Sequence, residues 1–269
     1  MAGLALAQVA IAADVRRTDE LMRASGMHGR LAMVQAEVLG SIVERTDLRP
    51  EDRAPMAEIL GATFKPAKLQ ESATRELRRL LSAQDEDEAL RFLGTELGRR
   101  ITRLLALAIA DDAAGGHPAL AKSQWSTASQ QRRDLLGRLA SAVSYPEAVA
   151  DGYISMTTSI EYAASLASKP TDTEKTVHAY MIARIRNRLE RFRPELVRVA
   201  RETSRSSLAY AYRDLSDEDL DRFVAFAESP AGLRFSDASM KAMAHAFIVA
   251  QEETGTAIGA DWVRRRGRS

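Results

Sequence analysis

Residues 215–235 read LSDEDLDRFVAFAESPAGLRF, and this stretch decides the fold class. Ser216 is the residue type of a helix N-cap, its hydroxyl placed to accept from a first-turn N–H. Asp219, three positions on, stands where a capping box puts its acid. Leu215 and Leu220 have the spacing of a hydrophobic staple. Asp217, Glu218 and Asp219 set negative charge against the positive end of the helix dipole. Leu220, Phe223, Val224 and Ala227 recur at helical spacing and predict the buried face, to which Phe226 is adjacent. Ser229 and Pro230 restart the chain as N-cap and first-turn proline. Gly232 then leaves room for the preceding helix or another one. The stretch predicts helix, break, helix.

The same grammar recurs 134 residues earlier. Leu81–Ile101 (LSAQDEDEALRFLGTELGRRI) aligns with Leu215–Phe235 without a gap, and seven of 21 positions are identical. The matches are Leu81/Leu215, Ser82/Ser216, Asp85/Asp219, Asp87/Asp221, Phe92/Phe226, Gly98/Gly232 and Arg100/Arg234. Thr95/Ser229 is conservative, while Glu96 stands where Pro230 does, so a continuous helix is expected there. Met22/Met156 and Ser25/Ser159 fit the same offset. The alignment predicts two related helical repeats, at 14–114 and 127–269, joined by a linker at 115–126 that contains Gly115, Gly116 and Pro118.

Elsewhere the apolar period is helical. Leu90, Leu93, Leu97, Ile101, Leu104 and Ala108 form one stripe, and Met240, Met243 and Phe247 another. No sustained alternation of β-branched residues with hairpin signals appears. An all-α, multi-helix bundle is expected, with a final helical region over about 231–264 that could be broken.

Composition sets the outer limits. The 269 residues are 45% hydrophobic and 28% charged, which describes a globular chain with length enough for one large domain or two smaller ones. The absence of cysteine removes disulfides, thiolate catalysis and cysteine–zinc sites. Charge is balanced: 16 basic and 18 acidic residues up to position 114, 22 and 19 after it. Broad attraction to nucleic acid or anionic membrane is not indicated. No uninterrupted apolar run reaches bilayer-spanning length. Met1–Ala13 (MAGLALAQVAIAA) reads either as the end of an export signal or as the first turns of an alanine-rich helix; it lacks the usual basic start.

Tyr210–Gly232 resembles the hallmark of a bacterial helical family called "domain of unknown function 2059". That hallmark is a helix with spaced apolar residues ending in an aromatic and S-P-x-G. Leu220, Phe223, Phe226, Ser229, Pro230 and Gly232 fit it, and the first stretch, Leu81–Ile101, fits only as a decayed version. The resemblance implies an all-α fold and, for many members, export to the bacterial envelope. It implies no activity.

Candidate chemistry is sparse. Glu174 and His178 share a helix face but lack further ligands for a metal site. His245, in AMAHAF, is expected to pack, and His28 to cap or be exposed. Neither a G-x-S-x-G elbow nor a glycine-rich nucleotide loop occurs. Arg184, Arg188, Arg191 and Arg198 could form an anion patch, or a solvated face paired with Glu190, Glu195 and Glu202. The tail from Arg264 to Arg268, beside Trp262, is a second positive cluster. No catalytic, cofactor or metal residue is assigned. The expected function is a noncatalytic envelope scaffold that binds a protein partner or a small apolar ligand. The alternatives are a cytoplasmic nucleic-acid binder or an enzyme with dispersed Asp, Glu and His.

Overall fold

The computed structural model describes residues 15–43, 50–113, 116, 118–143, 145–168 and 175–266. Two serines start two helices of equal length. Ser82 caps α5 (Ala83–Leu93) and Ser216 caps α12 (Asp217–Ala227), each hydroxyl accepting from the N–H three residues on. In α5 the reciprocal bond from the Ser82 N–H to Asp85 Oδ2 completes a capping box. Leu215 and Leu220 are both buried, as a staple requires.

After each of these helices the chain turns sharply. The expected continuity through Glu96 does not hold: α5 ends at Leu93, and α6 (Glu96–Ala113) begins as a separate helix. The physical reason is Thr95, which does what Ser229 does before α13 (Pro230–Arg266). The Thr95 hydroxyl accepts from Gly98 N at 3.0 Å, and Ser229 Oγ accepts from Gly232 N at 3.1 Å. Thr95 N and Ser229 N donate to Phe92 O and Phe226 O, both at 3.0 Å. A first-turn proline favours such a break but is not needed for it. Both glycines are required by contact: a Cβ on Gly98 would lie 2.3 Å from Phe92 O, and one on Gly232 2.0 Å from Phe226 O.

The rest of the chain is helical too, and among the described residues there is no strand. Residues 15–24 form α1, followed by α2 (Met27–Val43), α3 (Pro50–Thr63) and α4 (Pro66–Leu80). Gly26, at φ 80°, makes the tight corner between α1 and α2. Then come α7 (Pro118–Thr127), α8 (Gln130–Ala142), α9 (Tyr145–Ser168), α10 (Lys175–Glu190) and α11 (Arg193–Ala211). The expected linker at 115–126 is therefore mostly helix α7, which packs on α11. The last helix is unbroken over 37 residues.

Position 114 does not separate two bodies. The longest helix, α13, packs against α4, α5, α3 and α9, whereas α6 and α7 pack against α11. One core therefore joins Leu21, Leu31, Leu69, Leu77 and Ala89 to Ala238, Ala242, Ala246 and Ala250 of α13. The other joins Ile101 of α6 to Leu136, Leu139, Leu208, Leu220 and Val224. Alanine at every fourth position lets α13 lie close on α4, whose inner face is Leu69, Ser72, Ala73 and Leu77. That alanine row also corrects the expectation for His245, which is exposed because Ala242 and Ala246 take the buried face.

Polar groups tie the helices where the cores meet. Arg234 donates to Asp85 Oδ1 at 2.7 Å, and Arg100 reaches Asp219 Oδ2 at 3.4 Å and also bonds Asp214 O. Arg132 of α8 donates to Tyr212 O, Leu215 O and Asp217 Oδ1, pinning the turn before α12. At the position where α12 buries Leu220, α5 carries Glu86, which accepts from Thr18 at 2.6 Å and Arg17 at 2.9 Å. On α9, Tyr162 is held against Gly255 of α13, and burial pushes its hydroxyl up to about 12.

Candidate functional site

A partly open cavity of about 1670 Å³ is lined by residues of α2, α3, α6, α9, α12 and α13, and also by residues of α7 and α11. Its walls are largely apolar: Met33, Val34 and Val38 from α2, Leu105 and Ile109 from α6, Phe235, Met240, Met243 and Phe247 from α13. Small-molecule sites usually enclose roughly 300–1,000 Å³, so this one exceeds a drug-sized ligand. Methionines on three helices give the lining adaptable side chains.

The α6 and α13 walls correspond residue by residue. Ile101/Phe235, Thr102/Ser236, Leu105/Ser239, Ala106/Met240 and Ile109/Met243 all line the cavity at the 134-residue offset. Leu105/Ser239 breaks the apolar match. Ser239 is only 8% exposed, and its hydroxyl has no hydrogen-bond partner among the described residues. A buried hydroxyl left so costs about 1–3 kcal/mol.

The carboxylates around the cavity carry their own cations. Glu37 pairs with Arg30 at 2.9 Å, Glu202 with Arg198 at 2.9 Å, Asp237 with Lys241 at 2.8 Å and Glu147 with Arg201 at 3.5 Å. Asp151 pairs with Arg193. Asp111 accepts from the Tyr210 hydroxyl at 2.8 Å, which raises that hydroxyl's pKa. The α7 end differs: Lys122 lines the cavity one turn from Trp125, and the Arg205 guanidinium lies 5.8 Å from the Trp125 ring centroid. Among the described residues neither Lys122 nor Arg205 has a carboxylate within ion-pair distance. Nothing in the sequence marked this end, because its residues come from two helices 80 positions apart in the chain.

The residues that carry the resemblance serve as architecture. Leu215 and Leu220 are buried, Ser216 and Ser229 cap, and Gly232 admits the Phe226 carbonyl. Phe223 and Phe226 also reach the cavity. Of the suggested anion patch, Arg198 is bound by Glu195 and Glu202, and the Arg198 hydrogen bonds draw the Glu195 pKa down. Arg188 pairs with Glu161. Arg184 and Arg191 are exposed on α10 and the turn after it.

His28 Nε2 lies 3.2 Å from Asp19 Oδ1. Met1–Ala13, His117, Glu174 and residues 267–269 fall outside the described residues. Among the described residues no three His, Asp or Glu side chains gather as a metal site would need. No described helix is long and apolar enough to cross a membrane. Comparison with protein-family models finds no match, and comparisons with curated proteins and with solved structures find none either.

Proposed function

We infer that this protein is a noncatalytic helical scaffold of the bacterial envelope that holds a small apolar ligand in its interior. The carrying observation is the apolar cavity of about 1670 Å³ between α2, α6, α9 and α13. Apolar side chains lining a partly open space of that size face water, and a bound apolar molecule would cover them. A small ligand is favoured over a protein partner because the lining is concave and largely apolar, although the space is partly open and exposed Val149 and Tyr153 belong to its rim.

The helix break at Thr95–Gly98 and at Ser229–Gly232 supports descent of both halves from one helical unit. It also supports kinship of Tyr210–Gly232 with the family it resembles. The envelope location rests on that kinship and on Met1–Ala13.

Protein purified from its native host should release an apolar small molecule on organic extraction. The emptied protein should raise the fluorescence of N-phenyl-1-naphthylamine in a saturable way. No extracted ligand and no saturable signal would sink the interior-ligand reading. A mature chain that keeps Met1–Ala13 in the cytoplasmic fraction would sink the envelope location.

A further inference from the structure

We propose that the cavity's occupant is a long-chain amphiphile with an anionic headgroup, seated with its head at Lys122, Trp125 and Arg205. The proposal rests on the interior-ligand reading and names the ligand class. Its basis is a charge asymmetry around one apolar space. The carboxylates of Glu37, Glu147, Asp151, Glu202 and Asp237 are each paired with a cation.

At the α7 end, by contrast, two cations stand without a carboxylate among the described residues. Lys122 lines the cavity. Arg205 lies over Trp125, and Trp125 lines the cavity as well. An indole joins an apolar wall to a polar rim, since its ring is apolar and its N–H donates. A guanidinium and an ammonium at that rim recognise a carboxylate or phosphate, the first as a planar fork and the second as a point charge. The same cavity is lined by apolar side chains of α6 and α13, Leu105, Ile109, Met243 and Phe247 among them. The arrangement thus offers charge at one end and hydrocarbon beyond it, which is the layout of a fatty carboxylate or an anionic lipid. A neutral sterol or alkane would leave the two cations unused.

The test compares three probes of matched chain length on the delipidated full chain: palmitate, hexadecanol and hexadecyltrimethylammonium. Each displaces N-phenyl-1-naphthylamine. Palmitate should displace it at a concentration at least tenfold below that of hexadecanol, with the cationic probe weakest. The palmitate advantage should shrink as salt is raised. The double variant Lys122→Gln/Arg205→Gln should lose the palmitate preference and keep hexadecanol binding. Both side chains are exposed, so the fold should survive.

In a Trp262→Phe background, a fatty acid brominated beside its carboxyl should quench Trp125 more than one brominated near its methyl end, which places the head; the reverse order overturns the placement. Phosphatidylglycerol micelles separate the sources. Equal competition by lipid and palmitate supports the shared anionic-amphiphile chemistry, with tighter lipid binding assigning a phospholipid. Equal displacement by palmitate and hexadecanol, or a preference that survives the double variant, overturns the proposal and leaves the interior-ligand reading standing. Failure of all three probes overturns both.

Discussion

Phe92 and Phe226 stack face to face, ring centroids 3.9 Å apart and planes 6° from parallel, though 134 positions separate them in the chain. They are the same position of the two aligned stretches. In a twofold arrangement, a residue touches its own counterpart only on the axis, and every other contact occurs twice. The doubled contact is present: Arg234 reaches Asp85, and Arg100 reaches Asp219. Each arginine bonds the acid of the other stretch's helix cap.

Replacing Phe92 should therefore loosen both cores at once, and replacing Phe226 removes its stacking partner. Phe92 packs against both clusters. Because both rings are only partly buried, Phe92→Ala and Phe226→Ala should each cost about 2–4 kcal/mol. The double variant should cost clearly less than their sum, since the stack is lost in the first step. Urea denaturation of the four proteins measures this, and strict additivity would count against the stack as a stabilising contact.

Alanine should act in opposite directions at two helical glycines. In Gly232→Ala the new methyl meets the Phe226 backbone, which cannot give way as a side chain can, so the loss should exceed about 2 kcal/mol. In Gly137→Ala, within α8, nothing lies within 4 Å, and the gain should be up to about 1 kcal/mol. Thermal melts with opposite shifts bear this out, and a harmless Gly232→Ala would refute the close turn.

Asp85 should make the fold acid-sensitive. Burial by itself raises its pKa, but the hydrogen bonds from Ser82 and Arg234 outweigh that and hold it below the ordinary value. The folded pKa is thus lower than the unfolded one. The stabilisation is complete above about pH 4, the ordinary aspartate value, and fades as pH falls through the folded pKa. Asp85→Asn should lose about 1–2 kcal/mol at neutral pH, through the charge-assisted hydrogen bonds from Ser82 and Arg234, and show a flatter decline below about pH 4. Arg234 is more than half exposed, so Arg234→Gln alone should cost under about 1 kcal/mol. An Asp85→Asn curve parallel to that of the parent chain would contradict the assignment.

Ser239→Leu copies into α13 the residue that α6 carries at Leu105. Removing a partnerless buried hydroxyl and filling space should raise stability by about 1–2 kcal/mol in the ligand-free protein. The added bulk should also weaken binding of apolar probes. Calorimetry and the fluorescence titration read the two effects. Lower stability with unchanged binding would mean the position does not face usable space.

Local grammar was legible in the sequence wherever one helix turn contains its own signal. Ser216, Ser229, Pro230 and Gly232 announced their caps and their break, whereas the Asp219 carboxylate turns to Arg222 and Arg100 instead of closing a capping box. Thr95 and Gly98 carried the same signal, but the missing proline hid it. The Arg100 and Arg234 identities were visible, yet their partners lie across the fold, where no spacing rule reaches. His245 was misjudged because an alanine-rich run has no large residue to show which face is buried. The cavity was illegible for the opposite reason: its methionines and phenylalanines look like ordinary core until the helices are placed.

The crossing of α13 onto α4 has a consequence for synthesis. Leu69, Ala73 and Leu77 leave the ribosome long before Ala238, Ala242, Ala246 and Ala250 exist to cover them. The amino-terminal half must therefore wait, this apolar face uncovered, until α13 is made. A stop codon placed within α13 should therefore open the amino-terminal helices as well to proteolysis.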